Sequence, residues 1–285
     1  MAFTLIKGTF HATGYSPDGD SIRFRAKDPS LWKRLSGPAA AVNARGHAQL
    51  RIEAVDALET HYSGYCQPAR PARAAARFLL SFLGIDDVVW DESHSLVTAA
   101  RDGSEGYILS RSTESNRRPV SFVFAGEAGE KDGSDIVLDV PLLKESLNFR
   151  LLARGLAYPM YYNGLFSDLR LPLSAAVKSA REEGRGLWPC DRTTKGFSVS
   201  CLEAVTEEAA ILPKLFRRIV DYMGEGGSIT GFKEHLQKRC EPLVRIEQVH
   251  FTRLDAIVEM RGEKVRLAEA PENLIFMDRV LCKKN

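Results

Sequence analysis

At 285 residues the chain is long enough for one large domain or two modest ones, and either could bury a real core. Hydrophobic content of 44% and charged content of 27% are ordinary for a soluble globular protein, and no stretch of about twenty apolar residues exists to span a membrane. With 39 basic and 37 acidic residues the net charge is +2, so any attraction for phosphates has to come from local arrangement.

Phe3–Ala12 and Ser21–Ala26 read as strands on either side of the turn signal Ser16-Pro17-Asp18-Gly19. Residues 27–48 break the pattern with Pro29, Gly37, Pro38 and Gly46, and enclose a short helix around Leu31–Leu35. A loop of that length between two strands is commonly functional. Gln49–Val55 is a third strand. Pro71–Leu83 places Ala72, Ala75, Ala76, Leu79, Leu80 and Leu83 at helical spacing, with Gly84 as the stop. Val88–Trp90 and Val120–Ala125 are short strands around a polar stretch. Leu142–Arg154 is an amphipathic helix closed by Gly155, and Leu173–Glu183 is a third helix ended at Gly184.

After Trp188-Pro189 the texture changes. Residues 203–223 and 228–239 read as two helices joined by Gly224-Glu225-Gly226-Gly227, which lacks a Walker lysine and reads as a linker. Val244–Val249, Asp255–Met260 and Val265–Leu267 read as strands, the last two joined as a hairpin through Arg261-Gly262-Glu263-Lys264. The expected division is residues 1–190 as one domain and residues 191–285 as a smaller α+β appendage of unknown role, either binding a partner, selecting substrate or merely packing on the barrel.

The five cysteines, Cys66, Cys190, Cys201, Cys240 and Cys282, are widely spaced and form no C-x-x-C pair, so neither a disulfide framework nor a zinc knuckle is expected. The N-terminus lacks the apolar run of a signal peptide, which gives a cytoplasmic expectation. His61 and His94 lack a partner at metal-ligand spacing and read as surface histidines.

Chemistry concentrates in two clusters. Asp18-Gly19-Asp20 lies upstream of Arg51-Ile52-Glu53-Ala54-Val55-Asp56-Ala57-Leu58-Glu59. Together they supply an arginine, metal-type carboxylates and a base-type carboxylate on neighbouring strand-like segments. Those are the parts needed to hold a hard cation against a phosphodiester and direct a water at phosphorus. Strict alternation would put Arg51 and Asp56 on opposite faces, so a bulge, coil or strand end has to lie between them.

The order of these clusters, followed by Arg154-Gly155-Leu156-Ala157 and Gly186-Leu187-Trp188, resembles the staphylococcal (thermonuclease) nuclease family over roughly residues 5–189. The resemblance implies an OB-fold five-stranded β-barrel with three packed helices, a frame that commonly binds nucleic acid. It implies calcium-dependent cleavage of DNA and RNA with little sequence specificity, leaving 3′-phosphate ends. Asp20 and Asp56 match the metal carboxylates, the carbonyl of Ala57 a third ligand, Glu59 the base and Arg51 the first phosphate arginine. The second arginine aligns with Arg118, or failing it Arg117; here Pro119 follows where the family has glycine. Tyr161 and Tyr162 fall where the family places base-stacking tyrosines, although packing under a loop is an alternative.

Calcium takes about six to eight hard oxygen ligands, which carboxylates supply without a rigid cage. Arginine offers a planar, permanently charged fork for phosphate oxygens, whereas lysine offers only a point charge. A catalytically idle barrel that binds nucleic acid or protein is the rival expectation. The oligomeric state is not legible.

Overall fold

The computed structural model describes residues 2–207 and 209–277; Cys282 lies outside the described residues. The chain divides into two compact units, each discontinuous in sequence: Met1–Glu53 with Arg73–Leu151, and Ala54–Ala72 with Leu152–Asn285. Both mix strands and helices, so the architecture is α+β. The expected break near residue 190 falls inside the second unit.

The first unit is a closed barrel of β1 (Phe3–His11), β2 (Ser21–Ala26), β3 (Ala48–Ile52), β4 (Ser104–Thr113) and β5 (Pro119–Ala125). The pairing runs β1-β2-β3-β5-β4 and returns to β1. All pairs are antiparallel except β3 with β5, which run parallel through Arg51↔Val120 and Ile52↔Ser121. Asp135–Ile136 adds a short strand to β1. Phe10, Phe24, Leu50, Ile52, Ile108, Leu109 and Phe122 are all buried. Each large apolar side chain withdrawn from water contributes roughly 1.5–3 kcal/mol.

The fourth barrel strand departs from the expected pattern. Val88–Trp90 was expected as a short strand, and Asp86–Trp90 forms a hairpin with Val97–Arg101 that is separate from the barrel. The barrel position goes to Ser104–Thr113, whose Tyr107-Ile108-Leu109 run is short and lies between Gly106 and Ser110. Its long ladders to β1 and β5 supply what local pattern does not.

Helix α1 (Ala69–Phe82) follows the expected spacing, and its last turn closes with Gly84 at φ +69° and a bond from Ile85 N–H to the Leu80 carbonyl. The expected helix over 142–154 is two helices, α2 (Val140–Glu145) and α3 (Leu147–Ala153). Ser146 makes the break. It is fully buried in an extended conformation, its hydroxyl donates to the Leu143 carbonyl, and it accepts from Phe149 N–H at 3.2 Å. Buried Asn148 then ties α3 to the barrel, accepting from Val123 N–H and donating to the carbonyls of Glu53 and Ser121.

In the second unit α4 (Ser167–Glu182) buries Leu169, Leu173, Val177 and Ala180. It begins six residues before the expected Leu173 and runs through Pro172. The expected helix over 203–223 is interrupted: α5 (Leu202–Glu207) ends, and α6 (Pro213–Gly224) starts afresh with proline in its first turn. Next comes α7 (Phe232–Arg239). The hairpin Val258–Arg261 with Lys264–Leu267 forms as expected, whereas residues 254–257 are a short helix instead of strand.

Several bonds cross residue 190 within this unit. Tyr161–Tyr162 pairs in parallel with residues 275–276, Tyr158 donates to Asp191 at 2.7 Å, and Arg181 pairs with Glu272. Two segments of the sequence resemblance also meet here. Leu187 N–H bonds the Gly155 carbonyl at 2.8 Å, and a Cβ added at Gly186 would stand 2.1 Å from that same oxygen. Glycine is therefore required where Arg154–Ala157 and Gly186–Trp188 touch.

No disulfide joins Cys66, Cys190, Cys201 or Cys240. Among the described residues no helix is long and apolar enough to cross a membrane.

Candidate active site

In the barrel unit, the Asp18-Gly19-Asp20 turn feeds β2. Gly19 adopts φ +148°, and Ser21 Oγ donates to Asp18 Oδ1 at 2.9 Å, so Asp18 serves the turn. The Asp20 carbonyl accepts from Ile52 N–H at 3.0 Å. Ser21 pairs with Arg51 across β2 and β3, which places Asp20, the residue just before β2, next in sequence to the partner of Arg51.

Arg51 is also registered with Val120 on β5, two residues beyond Arg118. Arg118 Nε donates to Glu114 Oε1 at 3.1 Å, closing the β4–β5 hairpin as an ion pair. Burial pushes the Glu114 carboxyl up, but Arg118 outweighs it and holds it below the ordinary value. Arg117 takes a left-handed φ of +64° and donates to the Ala39 carbonyl, so it braces the long 27–48 loop.

The outer face of the barrel carries a second group that the sequence reading passed over. Phe24 points inward, so its neighbours Arg23 and Arg25 point out. The Arg23 and Arg45 guanidiniums lie 4.8 and 5.6 Å from the centre of the Tyr15 ring. Tyr15 OH meets His47 Nδ1 at 3.0 Å, and His47 stacks on His11 at 4.0 Å. Desolvation, helped by His11, Arg25 and Arg45, lowers the His47 pKa to about 4. Among the described residues none of Arg23, Arg25 and Arg45 forms an ion pair with a carboxylate. The signal was available as arginines alternating with apolar residues in Ser21–Ala26.

In the second unit, β3 has ended at Ile52 and Ala54 takes φ +68°, which supplies the required strand break. Val55–Asp56 then pairs with Tyr158–Pro159. Asp56, Ala57, Leu58 and Glu59 are all buried. Glu59 is fixed through its backbone: its N–H donates to Gln67 Oε1 at 3.1 Å, and its carbonyl accepts from Gln67 N–H at 2.9 Å. Gln67 in turn donates to the Ile211 carbonyl at 2.7 Å.

Both carboxylates meet one cation, Arg217 of α6. Its Nη2 donates to Asp56 Oδ1 at 3.0 Å and Oδ2 at 3.2 Å, and its Nη1 donates to Glu59 Oε1. Lys214 N–H, in the first turn of α6, adds a 3.1 Å bond to Asp56 Oδ2, so the carboxylate also faces the positive end of the helix. No local spacing announces this arrangement, because Arg217 lies 161 residues from Asp56.

The donor chemistry suits a hard cation, since Asp56 and Glu59 offer carboxylate oxygens at a common point. That point is taken by a guanidinium. A divalent ion placed about 4 Å from a guanidinium charge would be repelled by roughly 8 kcal/mol at an effective dielectric of 20. The carboxylates therefore fit calcium only once Arg217 has left them. Among the described residues no group of three or more His, Cys, Asp or Glu side chains gathers as a metal site.

The remaining candidates separate clearly. Tyr161 is fully buried, with its hydroxyl 3.0 Å from Ser174 Oγ, so it has no ring face for a base. Tyr162 is half-buried beside Phe276, with Lys214 Nζ 5.9 Å from its ring centre. His61 and His94 are exposed, and Trp32 is buried edge-on to Phe24. No family model matches this sequence, and no curated protein matches it.

Proposed function

We propose that the chain is a thermonuclease-like phosphodiesterase that hydrolyses DNA and RNA with little sequence specificity. The observation that carries this reading is the direction of two buried carboxylates, Asp56 and Glu59, at one cation. They belong to the same short segment whose order with Asp20 and Arg51 resembles the nuclease family. The closed strand order β1-β2-β3-β5-β4, with its parallel β3–β5 pair and α1 between β3 and β4, supports taking the barrel as an OB-fold. Arg23 and Arg45 over Tyr15, with Arg25 on the same strand as Arg23, support a nucleic-acid partner, because arginines beside aromatic rings suit phosphates and bases.

On this reading Arg51 and Arg118 hold phosphate oxygens through planar forks and stabilise the charge that grows there in the transition state. Glu59 holds the attacking water and takes its proton, an effect typically worth about 10²–10⁴-fold. Asp20, Asp56 and the Ala57 carbonyl are the proposed calcium ligands, and bound calcium would neutralise phosphate charge. The Gln67 bonds on either side of Glu59 keep its backbone fixed, so orientation costs little at the moment of reaction. The expected products carry 3′-phosphate ends.

A second reading is favoured by Arg217 itself. A guanidinium that satisfies both carboxylates also suits a catalytically idle barrel that binds nucleic acid or protein. Assay of the purified chain on single-stranded DNA separates the two readings. Hydrolysis with calcium, lost in chelator and in Glu59→Ala, is the expected result. Binding without turnover at millimolar calcium selects the idle module, and full activity in chelator overturns the calcium mechanism.

A further inference from the structure

We propose that Arg217 is a built-in cation that latches the Asp56–Glu59 pair against calcium, so that the carboxylates load a metal only when its guanidinium withdraws. This inference rests on the nuclease reading for its purpose, but its test reads the cation and not turnover.

The latch is built from the pattern of α6. Lys214, Arg217, Arg218 and Asp221 recur at i, i+3, i+4 and i+7 and form one charged stripe. Leu215, Phe216, Ile219 and Val220 are buried and hold the helix by its apolar face. The stripe is then registered by three independent attachments. Lys214 and Arg218 both reach the buried Glu241. Tyr62, in the loop after Glu59, donates to Asp221 at 2.7 Å. Lys214 N–H caps Asp56. With the helix fixed at these points, Arg217 is delivered to the two carboxylates as a consequence of helical spacing.

Two features make it a latch that can open. The Arg217 side chain is 25% exposed, so a rotamer change carries its head towards water without unfolding α6. Its hold on Asp56 uses the same oxygens that a calcium ligand must present, so guanidinium and metal exclude one another. A phosphate group offers the arginine fork an equivalent bidentate partner. Nucleic acid can therefore release the arginine, and the barrel need not change.

Calcium binding to the full chain, measured by isothermal titration without nucleic acid, tests this. Arg217→Ala is expected to bind calcium at least tenfold more tightly than the unsubstituted protein, with Arg217→Gln behaving alike and Arg217→Lys lying between. Equal or weaker binding in the alanine and glutamine variants overturns the latch. If those variants fail to fold, guanidinium NMR of the unsubstituted protein gives the answer. Saturating calcium should remove the protection of the Arg217 Nη protons, and protection that survives calcium binding overturns the proposal. A chain that needs calcium for hydrolysis but shows no affinity change on substitution loses the latch and keeps the nuclease reading. A variant that gains calcium affinity yet hydrolyses nothing keeps the latch and loses the nuclease reading.

Discussion

Two charged groups, one in each unit, differ in how their charge is matched. On the outer face of the barrel, Arg23 and Arg45 lie over the Tyr15 ring, and among the described residues neither they nor Arg25 forms an ion pair with a carboxylate. In the second unit the candidate carboxylates are matched: Asp56 and Glu59 by Arg217, and Glu241 by Lys214, Arg218 and Arg239. Uncompensated charge at a surface is capacity to bind a ligand of opposite sign. Compensated buried charge is structure until something exchanges with its partner. On the proposed reading the barrel face would take an anion, while the carboxylate pair would have to be released before taking a cation.

The largest expected effect tests the second unit. Glu59→Ala should lower hydrolysis of a fluorogenic single-stranded DNA by about 10²–10⁴-fold at saturating calcium, leaving binding of the same DNA intact. Loss of binding with unchanged turnover per bound strand would reverse the roles given to the two units.

Acid sharpens the comparison from the stability side. Burial pushes the Glu241 carboxyl up, but Lys214 and Arg218 outweigh it and bring the pKa down to about 2 from an ordinary 4.5. A carboxyl depressed in the folded state contributes stability that is complete above about pH 4.5 and is lost as pH falls towards 2. That depression corresponds to roughly 3 kcal/mol. Urea denaturation between pH 2 and 7 should show this acid limb, and Glu241→Gln should flatten it. An unchanged limb would mean that the ion network adds no net stability.

The barrel face is tested by salt. Replacing Arg23, Arg25 and Arg45 together by glutamine should weaken single-stranded DNA binding. It should also flatten the dependence of log K on log salt by roughly 2, for three lost phosphate contacts. An unaltered slope would remove this face from the nucleic-acid path. The smallest effect involves no charge. Ser146→Ala loses the hydroxyl that separates α2 from α3 and should cost about 1 kcal/mol, read as a shift of the urea midpoint at pH 7.

Much of the fold was legible because local chemistry and tertiary packing agree. Four of the five barrel strands carry enough alternation or apolar content to be seen, and α1 combines its apolar stripe with a glycine stop. The fourth strand was not legible, since three apolar residues between a glycine and a serine become a strand only through partners on both sides. The helix breaks at Ser146 and Pro213 are written in residues that cap or start helices, yet the apolar spacing on either side masked them. Tyr161 was offered for base stacking from its position in the chain. Burial against protein, which position does not report, withdraws it.

The sequence by itself determined which residues to propose for the chemistry: Asp20, Arg51, Asp56 and Glu59 stand in the order that resembles the nuclease family. It also determined the glycines at 155 and 186, because no other residue permits that approach. Only the tertiary structure decided what those residues touch. Arg217 reaches Asp56 and Glu59 across more than half the chain, through a helix held by apolar packing and by Glu241. A long-range ion pair leaves no local trace, since its energy depends on a register fixed by every other contact of that helix.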